Sequence, residues 1–116
     1  MRYRTFGHTG LRVSELFLGA MTFGEQGGVG APIEECRRIL DVYADAGGNF
    51  LDTASAYGES EEVLGAVVRR RDRFVLATKY TLSRDAEDPK AGGNHRKNLG
   101  LSLEQSLRRL RTDSNG

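Results

Sequence analysis

The sequence predicts an α/β fold built on a parallel sheet. Three observations carry this reading. Short apolar runs suited to strands recur at 16–19, 49–53 and 73–79. Longer stretches with apolar residues at helical spacing follow each of them. The two kinds of segment alternate strictly after an opening hairpin, and strands separated by helices of this length are joined by right-handed crossovers into one parallel sheet. Periodicity leaves a doubly wound sheet and a (β/α)8 barrel equally open.

The elements follow in order. Residues 2–15, "RYRTFGHTGLRVSE", read as a hairpin, with Gly7 and Gly10 bracketing His8 and Thr9 in its turn. "LFLG", 16–19, is a short strand ended by glycine, and "AMTFGEQGGVGAP", 20–32, is a glycine-rich loop. Pro32 suits the first turn of a helix. In that helix Ile33, Cys36, Leu40, Tyr43 and Ala44 share a face, and Gly47 is placed to end it in the left-handed conformation.

"NFLDT", 49–53, is the second strand of the sheet. Ser60 is placed to cap a helix over 61–70, with Glu61 and Glu62 at its positive end and Arg69 to Arg71 at its negative end. Val63, Leu64, Val67 and Val68 form its apolar stripe. "RFVLATK", 73–79, is a continuous run of the kind covered on both faces in a parallel sheet. A polar loop spans 81–98. A third helix over about 99–111 has Leu103, Leu107 and Leu110 on one face.

Composition narrows the function classes. The chain has 116 residues, 38% apolar and 28% charged, with a net charge of +1 that gives no strong pull towards polyanions. The arginine groups 69–73 and 108–111 fall at expected helix ends and lack interleaved aromatics, so base stacking is not indicated. The single Cys36 and the separated His8 and His95 make no metal set. Ser55 and Ser60 have no neighbouring histidine to activate them. No run is long enough to span a membrane, the N-terminus has no apolar signal core, and the cytoplasm is the expected compartment. "GGVG", 27–30, lies past its strand and is not GxGxxG, so it reads as a loop rather than a phosphate cradle.

In a parallel α/β sheet functional groups gather at the carboxyl ends of the strands. Asp52, Tyr57 and Lys79 stand at or just beyond such ends. If the second and third strands are neighbours, Asp52 and Lys79 come within salt-bridge reach. A free phenol titrates near ~10 and is a sluggish acid at neutral pH. A neighbouring ammonium stabilises the phenolate, and a carboxylate holds the ammonium charged and in place. Such a tyrosine can give a proton to a carbonyl oxygen as hydride reaches the carbon. Taken singly, each residue has an ordinary explanation: a turn aspartate, a packed tyrosine, a solvated lysine.

Four stretches carry a resemblance to a known family. "RYRTFGHTGLRVSELFLGAMTFGE", "GGNFLDTASAYGESEEVLG", "RFVLATKY" and "NHRKNLGLSLEQSLRRLRTD", in that order, resemble the N-terminal part of the aldo-keto reductases over residues 1–113. The resemblance implies a (β/α)8 barrel and NADP(H)-dependent reduction of a small aldehyde or ketone. It implies that Tyr57 is the general acid, Lys79 its modulator and Asp52 the partner of Lys79. It places Ala20, Met21 and Asp52 beside the nicotinamide end of the cofactor. Many relatives carry a hydroxyl residue where this chain has Ala20, and alanine there removes a possible hydrogen bond to the cofactor. The family's site histidine ends a fourth strand, and His95 lies in a different context, so it reads as a loop residue.

A full barrel needs about 250 residues. On the resemblance, residues 1–116 are therefore expected to form a partial reductase domain: a leading hairpin and about three βα units, lacking strand four onward. A gene fragment, a frameshifted reading frame or a truncated protein would each look like this. The isolated chain is expected to be inactive. The alternatives are a non-catalytic remnant able to associate with other chains, and a nucleic-acid-binding module built on the arginine groups.

Overall fold

The computed structural model describes residues 1–25, 28–83 and 85–112. Gly27, at the start of the glycine run, and Asp113 lie outside the described residues.

Strands β1 (Tyr3–Thr5) and β2 (Arg12–Ser14) form an antiparallel hairpin with Arg4 opposite Val13. Its turn is closed by the Phe6 N–H donating to Leu11 O at 2.7 Å, with Gly7 at φ +59°, a conformation glycine adopts without a Cβ clash. The sheet proper contains β3 (Leu18–Gly19), β4 (Phe50–Asp52) and β5 (Val75–Ala77), in the order β3-β4-β5 with both pairings parallel. Pairing continues past the named strands. Val75 N–H donates to Asn49 O at 2.7 Å, Thr53 N–H to Ala77 O at 2.9 Å, and Ser55 N–H to Lys79 O at 3.0 Å. The second and third strands thus extend about as far as their apolar runs suggest.

Helix α1 (Ile33–Asp45) crosses from β3 to β4, and α2 (Ser60–Val67) crosses from β4 to β5. Cys36, Leu40 and Ala44 of α1 and Val63, Leu64 and Val67 of α2 are buried with Leu51 and Leu76 of the sheet in one core. Burial pushes the Cys36 thiol up, so it packs as a small apolar side chain. Gly47 follows α1 at φ +92°, in the left-handed region, as its position predicts. The arginines after α2 do not cap it: α2 ends at Val67, while Arg70 pairs with Asp72 and Arg71 donates to Phe74 O at 2.6 Å.

The hairpin sits at the amino end of the sheet. The rings of Phe6 and Phe17 stack on Phe50 at 6.1 and 3.9 Å between centroids. Asn49 accepts from Ser14 N–H at 2.7 Å and donates to Arg12 O at 3.1 Å. The Tyr43 hydroxyl joins the same junction, lying 3.0 Å from Ser14 Oγ and accepting from Phe50 N–H at 3.0 Å. This end is filled with structural contacts, and the opposite end is left open.

Helix α3 (Arg96–Leu110) corrects one expectation. Its buried face is Asn98, Ser102, Ser106 and Leu110, whereas Leu103 is 42% exposed and Leu107 is only half-buried. The expected Leu103–Leu107–Leu110 face therefore holds only at Leu110. The polar face wins because partners await it. Asn98 Nδ2 donates to Tyr80 O and Gly93 O, Ser102 Oγ to Asn98 Oδ1, and Ser106 Oγ to Glu61 Oε1. Small side chains also let α3 come close to α2, where a Cβ on Gly65 would lie 2.3 Å from Arg109 O. His95 is the N-cap of this helix, accepting from Asn98 N–H through Nδ1 at 3.2 Å while Nε2 faces Gly92 O at 2.9 Å. No helix among the described residues is long and apolar enough to cross a membrane.

Candidate active site

The parallel register puts Gly19, Asp52 and Ala77 in one row at the carboxyl end of the sheet. Side chains alternate along a strand, so Lys79, two residues past Ala77, emerges on the face that Asp52 occupies. Lys79 Nζ donates to Asp52 Oδ1 and Oδ2, each at 2.8 Å, and to Thr53 O at 2.9 Å.

Tyr57 arrives from the loop after β4. A turn closed by Tyr57 N–H donating to Ala54 O at 3.1 Å brings the chain back, and Gly58 at φ +52° completes the reversal into α2. Lys79 Nζ lies 5.1 Å from the centre of the Tyr57 ring, within the range of a cation–π contact. The structure thus gathers Asp52, Tyr57 and Lys79 at one end of the sheet. Partial burial works against the Lys79 ammonium, but the hydrogen bond and charge of Asp52, with a smaller contribution from Tyr57, hold its pKa above the ordinary lysine value.

Beside Tyr57 opens a cleft of about 380 Å³, lined by residues that include Met21, Thr22, Val29, Ala56, Tyr57 and Glu59. Met21 is 65% exposed, whereas Ala20 is fully buried, its N–H donating to Asp52 O at 2.8 Å and its carbonyl accepting from Ser60 Oγ at 2.6 Å. Of the three residues expected near a cofactor, Met21 and Asp52 present accessible surface and Ala20 does not. The far wall is pinned by Glu59, whose Oε1 accepts from Glu25 N–H at 2.6 Å. Gly24, at φ +112°, is in a conformation that strains any other residue, and a Cβ there would fall 2.3 Å from Glu59 Cγ and displace that side chain.

Ser60 does not cap α2 as expected. Glu59 occupies the N-cap position without a side-chain hydrogen bond, and Ser60 is the first helical residue. Its hydroxyl turns inward to Ala20 O and, at 2.7 Å, to Thr53 Oγ1. It thereby ties the loop after β3 to the strand carrying Asp52. Glu61 was expected only to favour the helix dipole; it is instead buried and bonded to Thr78, Ser106 and Arg109. Its neighbour Glu62 stays half-exposed, so nothing local in the sequence distinguishes the two acids. Among the described residues no group of three or more histidine, cysteine, aspartate or glutamate side chains is arranged to hold a metal ion.

Comparison with known proteins agrees with the fold. The family model of the aldo/keto reductases matches residues 15–115. Over 115 residues the chain is 44% identical to an aryl-alcohol dehydrogenase of Pestalotiopsis microspora, a match covering 89% of this chain and 30% of that protein. It is 47% identical over 117 residues to a norsolorinic acid reductase of Emericella nidulans, covering 90% of this chain and again 30% of the relative. A solved structure described as an aldo-keto reductase of Pseudomonas aeruginosa superposes with a TM-score of 0.81 at 35% identity, covering 97% of this chain and 43% of the other. The chain thus spans about 30% of the length of these two sequence relatives. Its hairpin and βα units correspond to the N-terminal portion of a (β/α)8 barrel. The chain belongs to the aldo/keto reductase family.

Proposed function

We propose that residues 1–116 supply the first part of one barrel domain and the proton-donating half of a reductase site that converts an aldehyde or ketone to an alcohol with NADPH. The observation that carries this reading is the two-oxygen contact of Asp52 on Lys79, with the Lys79 ammonium beside the Tyr57 ring at the open end of the sheet. In this reading Tyr57 gives its proton to the carbonyl oxygen as negative charge develops there. The Lys79 ammonium stabilises the phenolate left behind, and Asp52 keeps that ammonium charged and aimed.

The residues present suit the nicotinamide end of the cofactor. Met21 offers apolar surface at the mouth of the cleft, and Asp52 offers a half-exposed carboxylate at the strand end. Ala20 would act only through the backbone beneath them. When bound, the nicotinamide supplies the hydride. The name of the aryl-alcohol dehydrogenase relative favours an aryl aldehyde as the first substrate to try. We take the compartment to be the cytoplasm.

The test completes the barrel. Units four to eight of a relative are joined after residue 113, and NADPH-dependent reduction of an aryl aldehyde is measured. Tyr57→Phe should lower kcat by about 10²–10⁴-fold with NADPH affinity retained. Equal rates for the two forms would remove Tyr57 as the acid. Residues 1–116 alone should bind NADPH weakly and show no turnover.

A second reading, a non-catalytic chain that associates with others, is favoured by one observation. The three-stranded sheet leaves the outer sides of β3 and β5 without a partner strand among the described residues. Turnover by the completed barrel would confine that reading to the isolated chain.

A further inference from the structure

Behind the Asp52–Lys79 pair lies a second, more deeply placed ion pair. Glu61 is 1% exposed. Its Oε1 accepts from Thr78 Oγ1 at 2.7 Å and from Ser106 Oγ at 2.6 Å, and its Oε2 accepts from Arg109 Nη1 at 3.3 Å. Every partner is a donor. A carboxylate, which only accepts, satisfies all three, whereas a carboxamide would have to turn an NH2 group towards one of them.

The arms of this hub end beside the site. Thr78 immediately precedes Lys79. Arg109 Nη1 also donates to Ser55 O at 3.2 Å, and its Nε lies 3.1 Å from Glu62 Oε1. Ser55 lies between Asp52 and Tyr57, and its N–H donates to Lys79 O at 3.0 Å. The Glu61–Arg109 pair therefore grips the residue before Lys79 and the loop leading to Tyr57. Two helices can pack through apolar side chains without the desolvation penalty of a buried ion pair. Orientation of the two polypeptide segments is what an apolar interface at this place would not give.

We infer that Glu61 and Arg109 are positioning residues, acting through Thr78 and Ser55 to fix where Lys79 and the Tyr57 loop stand relative to one another. Helix α3, which contributes Arg109 and Ser106, thereby becomes part of the support of the site. As a statement about catalysis this rests on the roles of Tyr57 and Lys79 proposed above; as a statement about geometry it does not.

The experiment is residue-resolved amide hydrogen exchange on the 116-residue chain. It compares the Ser55 amide, which is bonded to Lys79 O, with the Leu40 amide in the buried turn of α1. Glu61→Gln disturbs the hub directly. Thr78→Val removes one arm while leaving the ion pair intact, and Thr78→Ser restores the hydroxyl. In Thr78→Val the Ser55 amide should exchange about 10-fold faster while Leu40 keeps its wild-type rate, and Thr78→Ser should return Ser55 to wild type. Wild-type exchange at Ser55 in Thr78→Val, or equal acceleration at Ser55 and Leu40, would overturn the inference.

In the completed barrel, Thr78→Val should lower kcat by about 10-fold with KM for NADPH unchanged, because misplacement of the reacting groups affects the chemical step. An unchanged kcat would likewise count against it. Should Tyr57→Phe retain full activity, the catalytic roles fail, and the exchange result still decides the geometric coupling.

Discussion

Lys79 and Asp52 are 27 residues apart in the chain and 2.8 Å apart in space. The parallel pairing of β4 with β5 produces this contact, because Asp52 sits opposite Ala77 and Lys79 emerges two residues later on the same face. The pair is partly open to solvent, so screening limits its contribution to stability. The pair holds the Lys79 ammonium 5.1 Å from the centre of the Tyr57 ring.

That contact has a pH signature. The folded-state pKa of Lys79 is raised, so the folded chain retains a proton at alkaline pH that the unfolded chain has released. Stability from this source is complete below the ordinary lysine value of about 10.4 and declines as pH climbs through the folded-state pKa. Asp52→Asn should flatten the alkaline decline. Thermal midpoints of both forms across the alkaline range measure it, and parallel curves would show that Asp52 does not hold the ammonium.

Ser60→Ala should destabilise the fold by about 1–3 kcal/mol, the range for leaving a buried polar group unpaired. The group left behind is the buried Thr53 hydroxyl, whose bond runs to Ser60 Oγ. Urea unfolding at low protein concentration would measure the loss. A surface N-cap role would predict a similar loss, but one rescued by Ser60→Asp. Buried placement predicts that Ser60→Asp is worse than Ser60→Ala.

Two helical glycines should respond to alanine with opposite signs. Gly100 in α3 faces open space, and Gly100→Ala should stabilise by about 1 kcal/mol through helix propensity. Gly65 in α2 touches the backbone of α3, where a Cβ would lie 2.3 Å from Arg109 O and 3.1 Å from Leu110 Cα. Gly65→Ala must push the helices apart and should cost about 1–3 kcal/mol. Paired denaturation curves test both, and a stabilising Gly65→Ala would contradict the close packing of α2 on α3.

Residues 1–116 taken alone should self-associate. Leu16, Phe17 and Val42 are exposed along one side of β3 and α1, next to a strand edge that has no partner strand among the described residues. Apolar surface beside an open edge favours association between chains. Sedimentation across a concentration series reads the state directly, and a monomer at every concentration would show that these surfaces are tolerated in water.

The sequence by itself determined the order of elements, the parallel sheet and the end of the sheet where Asp52, Tyr57 and Lys79 gather. Those features follow from local rules: apolar runs of strand length, helical spacing, and the left-handed turn at Gly47. The resemblance carried by its motifs supplied the barrel, which periodicity had left open. Only the tertiary structure decided which polar side chains go inside. Glu61 and Glu62 are indistinguishable along the chain, yet Thr78, Ser106 and Arg109 converge on the first, while the second remains half-exposed beside Arg109. The inward turn of Ser60 and the polar buried face of α3 have the same origin. A polar group can be buried when partners brought from distant parts of the chain satisfy it, and neither hydropathy nor spacing records where those partners arrive.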